Sequence, residues 1–204
     1  CLSSAQIPDF PGRDEFGGET YHTGYWPHEG VDFSGKKVGV IGTGSSGIQV
    51  IPEIARKAAY LTVFQRTPNF SIPARNQPLD KTFVQGWKSS YPELRRYARE
   101  ETPSGTIYDW PSCSALDVDP EEREREYRWR WEKGGVNFSH SYNDLSVNER
   151  ANTTAANFVR DRIQATVKDP ETAEDLCPRD YPIFCKRICL DTEYFETFNR
   201  HNVD

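Results

Sequence analysis

The segment "GKKVGVIGTGSSGIQVIPEIA", residues 35–55, restricts the possible folds more than any other part of this 204-residue chain. A turn at Gly35 leads into Lys37–Ile41, an apolar run of strand length that reads as a buried β-strand. Gly42-Thr43-Gly44-Ser45-Ser46-Gly47 then spells GxGxxG. It is followed by Ile48, Ile51, Ala55 and Ala58 at the three- to four-residue spacing of a helix face. Pro52 lies beyond the first turn of that helix and removes one backbone donor, which predicts a kink. "YLTVFQR" supplies a second buried strand, so the whole is a β-α-β unit. The expected fold class is α/β, a Rossmann-like nucleotide-binding domain.

In such a turn the first glycine permits the sharp reversal, and the second lets the backbone approach a pyrophosphate. The third lets helix and strand pack closely. The helix N-terminus presents free N–H groups and a partial positive charge to the anion. The competing reading is a glycine-rich turn that merely joins two elements. Specificity is written at the end of the second strand, where an NAD site places an acidic residue about 20 positions on. Here Arg66 and Thr67 stand in "FQRTP" instead. A guanidinium at that place suits a 2′-phosphate through charge-assisted hydrogen bonds, so the expected cofactor is NADP(H). The alternative is a surface arginine at a strand end.

Bulk properties exclude several classes. There are 31 acidic against 25 basic residues, a net charge of −6, which argues against nucleic acid as a partner. No apolar run approaches membrane-span length. The five cysteines form no CxxC pair and are odd in number, so they read as reduced thiols of a cytoplasmic protein. His22 and His28 have no Cys, Asp or Glu cluster at ligand spacing, so no metal site is expected. The absence of methionine, even at position 1, reads as a piece of a larger protein.

Four regions follow from composition. Residues 1–35, rich in Pro, Gly and aromatics, read as an ordered linker. Residues 36–76 hold the β-α-β unit. Residues 77–175 carry charged and helix-forming patterns, with Glu121–Arg125, Glu124–Arg128 and Glu126–Arg130 as supportive i,i+4 pairs, and read as a helical insertion. Residues 176–204 resume mixed apolar patterning and are expected to return to the sheet.

The linker contains "FGGETYHTGYWP", Phe16–Pro27. Taken alone it could be loop packing, with Phe16 and Trp26 buried and His22 a satisfied polar group. The spacing Phe16-x-Gly18-xxx-His22-xxx-Trp26-Pro27, however, resembles at every fixed position the fingerprint of the Baeyer–Villiger monooxygenases. In that family it also lies just before the NADP-binding GxGxxG. "LTVFQRTPNFSIPARN" and "KRICLDTEYFETFNRHNV" are similar to the same family, most of all to the branch acting on phenylacetone, steroids and large cyclic ketones. The helical middle resembles it poorly.

The resemblance implies an FAD- and NADPH-dependent enzyme that inserts one oxygen atom of O2 into a ketone to give an ester or lactone. It implies that Gly42, Thr43, Gly44, Ser45, Ser46, Gly47, Ile48 and Gln49 line the pyrophosphate. Arg66, Thr67 and Lys186 would hold the 2′-phosphate. Arg187 would be the catalytic arginine that stabilises negative charge on the oxygenated flavin and helps to position nicotinamide. Phe16, Gly18, His22 and Trp26 would couple domain movement to the cofactor rather than act as acids or bases. FAD would be held mainly by an upstream domain, leaving the 204 residues inactive alone. One departure stands out: Phe184-Cys185 precede Lys186-Arg187 where the family has glycine and a small residue. Two other functions compete, an N- or S-oxygenating flavin monooxygenase and a nucleotide-binding module without catalysis.

Overall fold

A computed structural model describes residues 4–102, 105–108 and 111–204; Cys1 lies outside them. The first two strands, β1 (Lys37–Ile41) and β2 (Tyr60–Phe64), pair in parallel, with Lys37 opposite Tyr60 and Ile41 opposite Phe64. Helix α1 (Ser45–Ala55) makes the crossover between them and buries Ile48, Ile51, Ile54 and Ala55, with Ala58 beyond its end. Pro52 sits inside α1 and is itself buried, so the lost backbone donor faces packed side chains rather than water.

The expectation that both strands are buried holds on one face only. Side chains alternate along a strand. Val38, Val40, Leu61 and Val63 therefore face the core, whereas Ile41 and Phe64 are 67% and 55% exposed on the other side.

The return of the chain also differs in detail from the sequence expectation. Strand β4 (Cys189–Asp191) does not join β1 and β2. It pairs in parallel with β3 (Ser71–Pro73) as a separate two-stranded sheet. The last residues do reach the first sheet: Leu61 N–H donates to Asn202 O at 2.8 Å, and Asp204 N–H donates to Leu61 O at 2.9 Å. A parallel bridge joins Leu61 and Val203. The connection into this third position passes through the short helix α7 (Tyr194–Thr197).

Between β3 and β4 the described segments are mainly helical: α2 (Lys81–Ser89), α3 (Tyr91–Glu100), α4 (Pro120–Lys133), α5 (Glu149–Thr166) and α6 (Pro170–Asp175). Asp80, Asp119, Asn148 and Asp169 start α2, α4, α5 and α6 by accepting backbone N–H groups that have no partner within the helix. Glu124–Arg128 and Glu126–Arg130 form ion pairs at 2.9 and 2.7 Å along α4. Tyr127, Phe138 and Phe158 pack with ring centroids 5.3–5.5 Å apart, tying α4 to α5. Helices α2 and α3 bury no residue.

Candidate functional site

The turn between β1 and α1 has the backbone that its glycines permit. Gly42 has φ +95°, a conformation that L side chains rarely adopt, and its N–H donates to Phe64 O at 2.9 Å. Gly44 is the N-cap of α1, with φ −78° and no side chain capping the helix. A Cβ on Gly44 would meet no atom within 4 Å, so the space over the turn is open. A Cβ on Gly47 would lie 2.2 Å from Gly42 O, so only glycine allows this approach of helix to turn. An uncapped helix start beneath open space is suited to an anion bound by backbone N–H groups.

The residues of the turn divide into two groups. Ser45, Ser46 and Gln49 are exposed, and Gln49 Nε2 donates to Ser45 Oγ at 3.5 Å. Thr43 and Ile48 are buried. The Ile48 side chain is in the core and its N–H donates to Gly44 O at 2.9 Å. Thr43 Oγ1 is held between Gln65 Oε1 at 3.3 Å and Thr67 O at 3.4 Å. These two residues support the turn with their side chains rather than presenting them to a ligand.

Arg66 lies just beyond β2, exposed, with no hydrogen bond or ion pair among the described residues. It lines a cleft of about 570 Å³ together with Gln65, Pro68, Asp175 and Phe198. Gln65 Nε2 anchors this strand end by donating to Asp175 O at 2.8 Å.

The sequence reading missed the residues that bring the two basic segments into one frame. Asn69 Nδ2 donates to Thr43 O at 2.5 Å. Tyr181 Oη donates to Pro68 O at 2.8 Å and lies 3.2 Å from Asn69 Oδ1. The Lys186 ammonium sits over the Tyr181 ring, 4.0 Å from its centroid. Burial holds the Tyr181 phenol above its ordinary pKa, so it stays a neutral donor. Nothing in local pattern pairs Asn69 with a tyrosine 112 residues away. Arg187 is exposed and has no hydrogen bond or ion pair among the described residues. Phe184, where the family pattern has glycine, has φ +71° and stacks obliquely on Phe138 with centroids 6.3 Å apart.

The Phe16–Pro27 stretch is anchored rather than buried. Phe16 is 66% exposed, and His22 Nδ1 accepts from Gly24 N–H at 3.0 Å, capping a single helical turn at Thr23–Tyr25. Trp26 is half-buried between Tyr21 and Phe33, each with its ring centroid at 6.0 Å. Lys36, beside β1, donates to Glu19 Oε2 at 2.6 Å, and this hydrogen bond holds the Glu19 carboxyl below its usual range. The stretch is therefore tied to the start of β1. Among the described residues no hydrogen bond or ring contact joins His22 or Trp26 to Gly42–Gly47. A Cβ on Gly18 would meet the Phe16 ring at 2.7 Å.

Among the described residues no group of His, Cys, Asp and Glu is placed to hold a metal ion. No described helix is long and apolar enough to cross a membrane. Cys113, Cys177, Cys185 and Cys189 are free thiols.

No family model matches the chain. Curated proteins and solved structures do. A Baeyer–Villiger monooxygenase of Pseudooceanicola batsensis is 38% identical over 204 residues, which are 99% of this chain and 37% of the relative. A phenazine N-monooxygenase of Lysobacter antibioticus is 39% identical over the same shares of each chain. The structure of an oxidized steroid monooxygenase bound to NADP superposes with a TM-score of 0.94 at 50% identity, over 98% of this chain and 38% of that one. The chain thus spans less than two fifths of the length of the relatives it matches.

Proposed function

We propose that this chain, homologous along 99% of its length to a Baeyer–Villiger monooxygenase, is the NADP(H)-binding segment of a flavin-dependent enzyme of that family. The whole enzyme would insert one oxygen atom of O2 into a ketone to give an ester or lactone. The observation that carries this reading is the phosphate turn. Gly42 is bent as only glycine bends readily, Gly47 is pressed on Gly42 O, and Gly44 opens an uncapped helix start to solvent. That donor set fits a pyrophosphate.

In this reading the N–H groups at the start of α1 bind the pyrophosphate, while Thr43 and Asn69 keep the turn in shape. Arg66, Thr67 and Lys186 hold the 2′-phosphate. An always-charged guanidinium and a stacked ammonium suit a dianion. Arg187 supplies a fixed positive charge where negative charge develops during turnover and helps to seat the nicotinamide. Phe16, Gly18, His22 and Trp26 transmit domain movement through the anchored loop. FAD, when bound, supplies the oxygen-activating chemistry. With one GxGxxG turn in these 204 residues, FAD would be held chiefly by regions outside the part of the family that the chain matches. Residues 36–76 and 176–204 then form the NADP domain, with 77–175 inserted between them. The four free thiols support a cytoplasmic setting.

The similarity to a phenazine N-monooxygenase favours a second reading, oxygenation at nitrogen. The Trp26-Pro27 ending and the Lys186-Arg187 pair support the ketone reading instead. Product analysis of the full-length protein with NADPH and O2, offered a cyclic ketone and a phenazine, separates the two. A lactone supports the first and an N-oxide the second. In Arg187→Ala, NADPH should still be consumed while ester formation falls about a hundred- to a thousandfold. Ester formation at the wild-type rate would remove Arg187 from the site.

A further inference from the structure

Tyr181 carries four contacts that no functional assignment above explains. Its hydroxyl donates to Pro68 O at 2.8 Å and approaches Asn69 Oδ1 at 3.2 Å. Its ring is held edge-on by Phe70, with centroids 5.6 Å apart. Its face carries the Lys186 ammonium at 4.0 Å. Pro68 directly follows Arg66 and Thr67, and Asn69 holds Thr43 of the phosphate turn. One side chain therefore touches both the strand end that bears Arg66 and the loop cation Lys186.

We propose that Tyr181 is a positioning residue for the 2′-phosphate: it immobilises Lys186 on its ring and fixes that cation relative to the Arg66–Thr67 strand end. This rests on the NADP(H) reading of the site. The physical argument is entropic. An exposed lysine has four rotatable side-chain bonds, and holding its head in one place costs rotamer freedom. Stacking on a ring that is itself tethered at its hydroxyl and its edge meets part of that cost before ligand arrives. Tyr181 then acts through Lys186 and makes no contact with the nucleotide.

The test is calorimetric titration of the full-length protein with NADP⁺ and with NAD⁺, comparing wild type, Tyr181→Leu, Tyr181→Phe, Lys186→Ala and the Tyr181→Leu/Lys186→Ala double variant. Tyr181→Leu should lower the NADP⁺ preference about three- to tenfold and leave NAD⁺ affinity unchanged. Tyr181→Phe, which keeps the ring, should retain most of the preference. In the Lys186→Ala background the leucine substitution should have little further effect. An equal loss for both nucleotides would make Tyr181 a structural residue only. An undiminished extra loss in the Lys186→Ala background would show that it does not act through Lys186. Either result overturns the proposal. Wild-type protein without any NADP⁺ preference instead defeats the functional reading itself. If Tyr181→Leu does not fold, the wild-type NMR spectrum decides. The Lys186 ε-methylene protons should be shifted upfield by the ring beneath them, and an ordinary lysine shift would overturn the proposal.

Discussion

Gly47 lies so close to Gly42 that a Cβ on the former would stand 2.2 Å from the carbonyl oxygen of the latter. Gly44, between them, has no atom within 4 Å of its own virtual Cβ and a φ of −78° that alanine adopts freely. The same substitution should therefore act through different physics at the two positions. Gly47→Ala must push helix from turn and should cost about 1–3 kcal/mol of stability. Gly44→Ala should leave stability within about 0.5 kcal/mol, yet weaken NADP⁺ binding at least about tenfold by occupying the approach of the pyrophosphate. Thermal melts paired with titrations check this. Unaltered binding in a folded Gly44→Ala would place the phosphate elsewhere.

Phe184 adopts φ +71°, a left-handed conformation that costs a non-glycine residue about 1–2 kcal/mol. Its ring contact with Phe138 offsets that strain. Phe184→Ala and Phe184→Gly both lose the ring, but only glycine relieves the backbone. The glycine variant should therefore be the more stable of the two by about 1 kcal/mol, the reverse of the usual order. Chemical denaturation of both variants tests it, and a more stable alanine variant would mean that the strain is absent.

Asp191 is buried, accepts from Ser71 Oγ at 2.6 Å and receives the Tyr194 N–H at 3.4 Å, joining β3, β4 and α7. Burial raises its carboxyl pKa above the ordinary value, with the Ser71 hydrogen bond opposing. A raised acid binds its proton more tightly when folded. Its contribution to stability is thus fully present below the unfolded pKa and is lost as pH rises through the folded value. Asp191→Asn has no such slope. The difference in melting temperature, variant minus wild type, should move in favour of the variant as pH rises from about 4 to 7. A flat difference would show that Asp191 ionises as freely in the fold as in the unfolded chain.

The β-α-β unit was readable because its signals are local. Lys37–Ile41 is a strand with those bounds, and Ile48, Ile51, Ala55 and Ala58 are all buried. The conformational roles of Gly42 and Gly47 were readable for the same reason, since each follows from a backbone requirement inside a six-residue turn. The exposure of Ile41 and Phe64 was not, because it depends on what packs against the second face of the sheet. The β3–β4 pair was equally hidden, since its partners are 118 residues apart. Phe184 stood out in sequence as a departure from the family pattern, but the reason that glycine suits the position is a dihedral angle. Asn69 lies inside a family-like segment that assigns it no role, and Tyr181 lies outside every such segment; the roles of both arise from long-range contact.

The central claim is that these residues hold a dinucleotide by its 2′-phosphate. Calorimetric titration with NADP⁺ and NAD⁺, repeated on Arg66→Ala, tests it most directly. Arg66 is exposed and unpaired among the described residues, so its removal should leave the fold intact. Loss of a charge-assisted contact corresponds to about 1.5–3 kcal/mol, or roughly ten- to a hundredfold in affinity. Wild type should prefer NADP⁺, and Arg66→Ala should lose that preference by about this factor while binding NAD⁺ as before. Equal discrimination in the two proteins, or no binding of either nucleotide, would contradict the account.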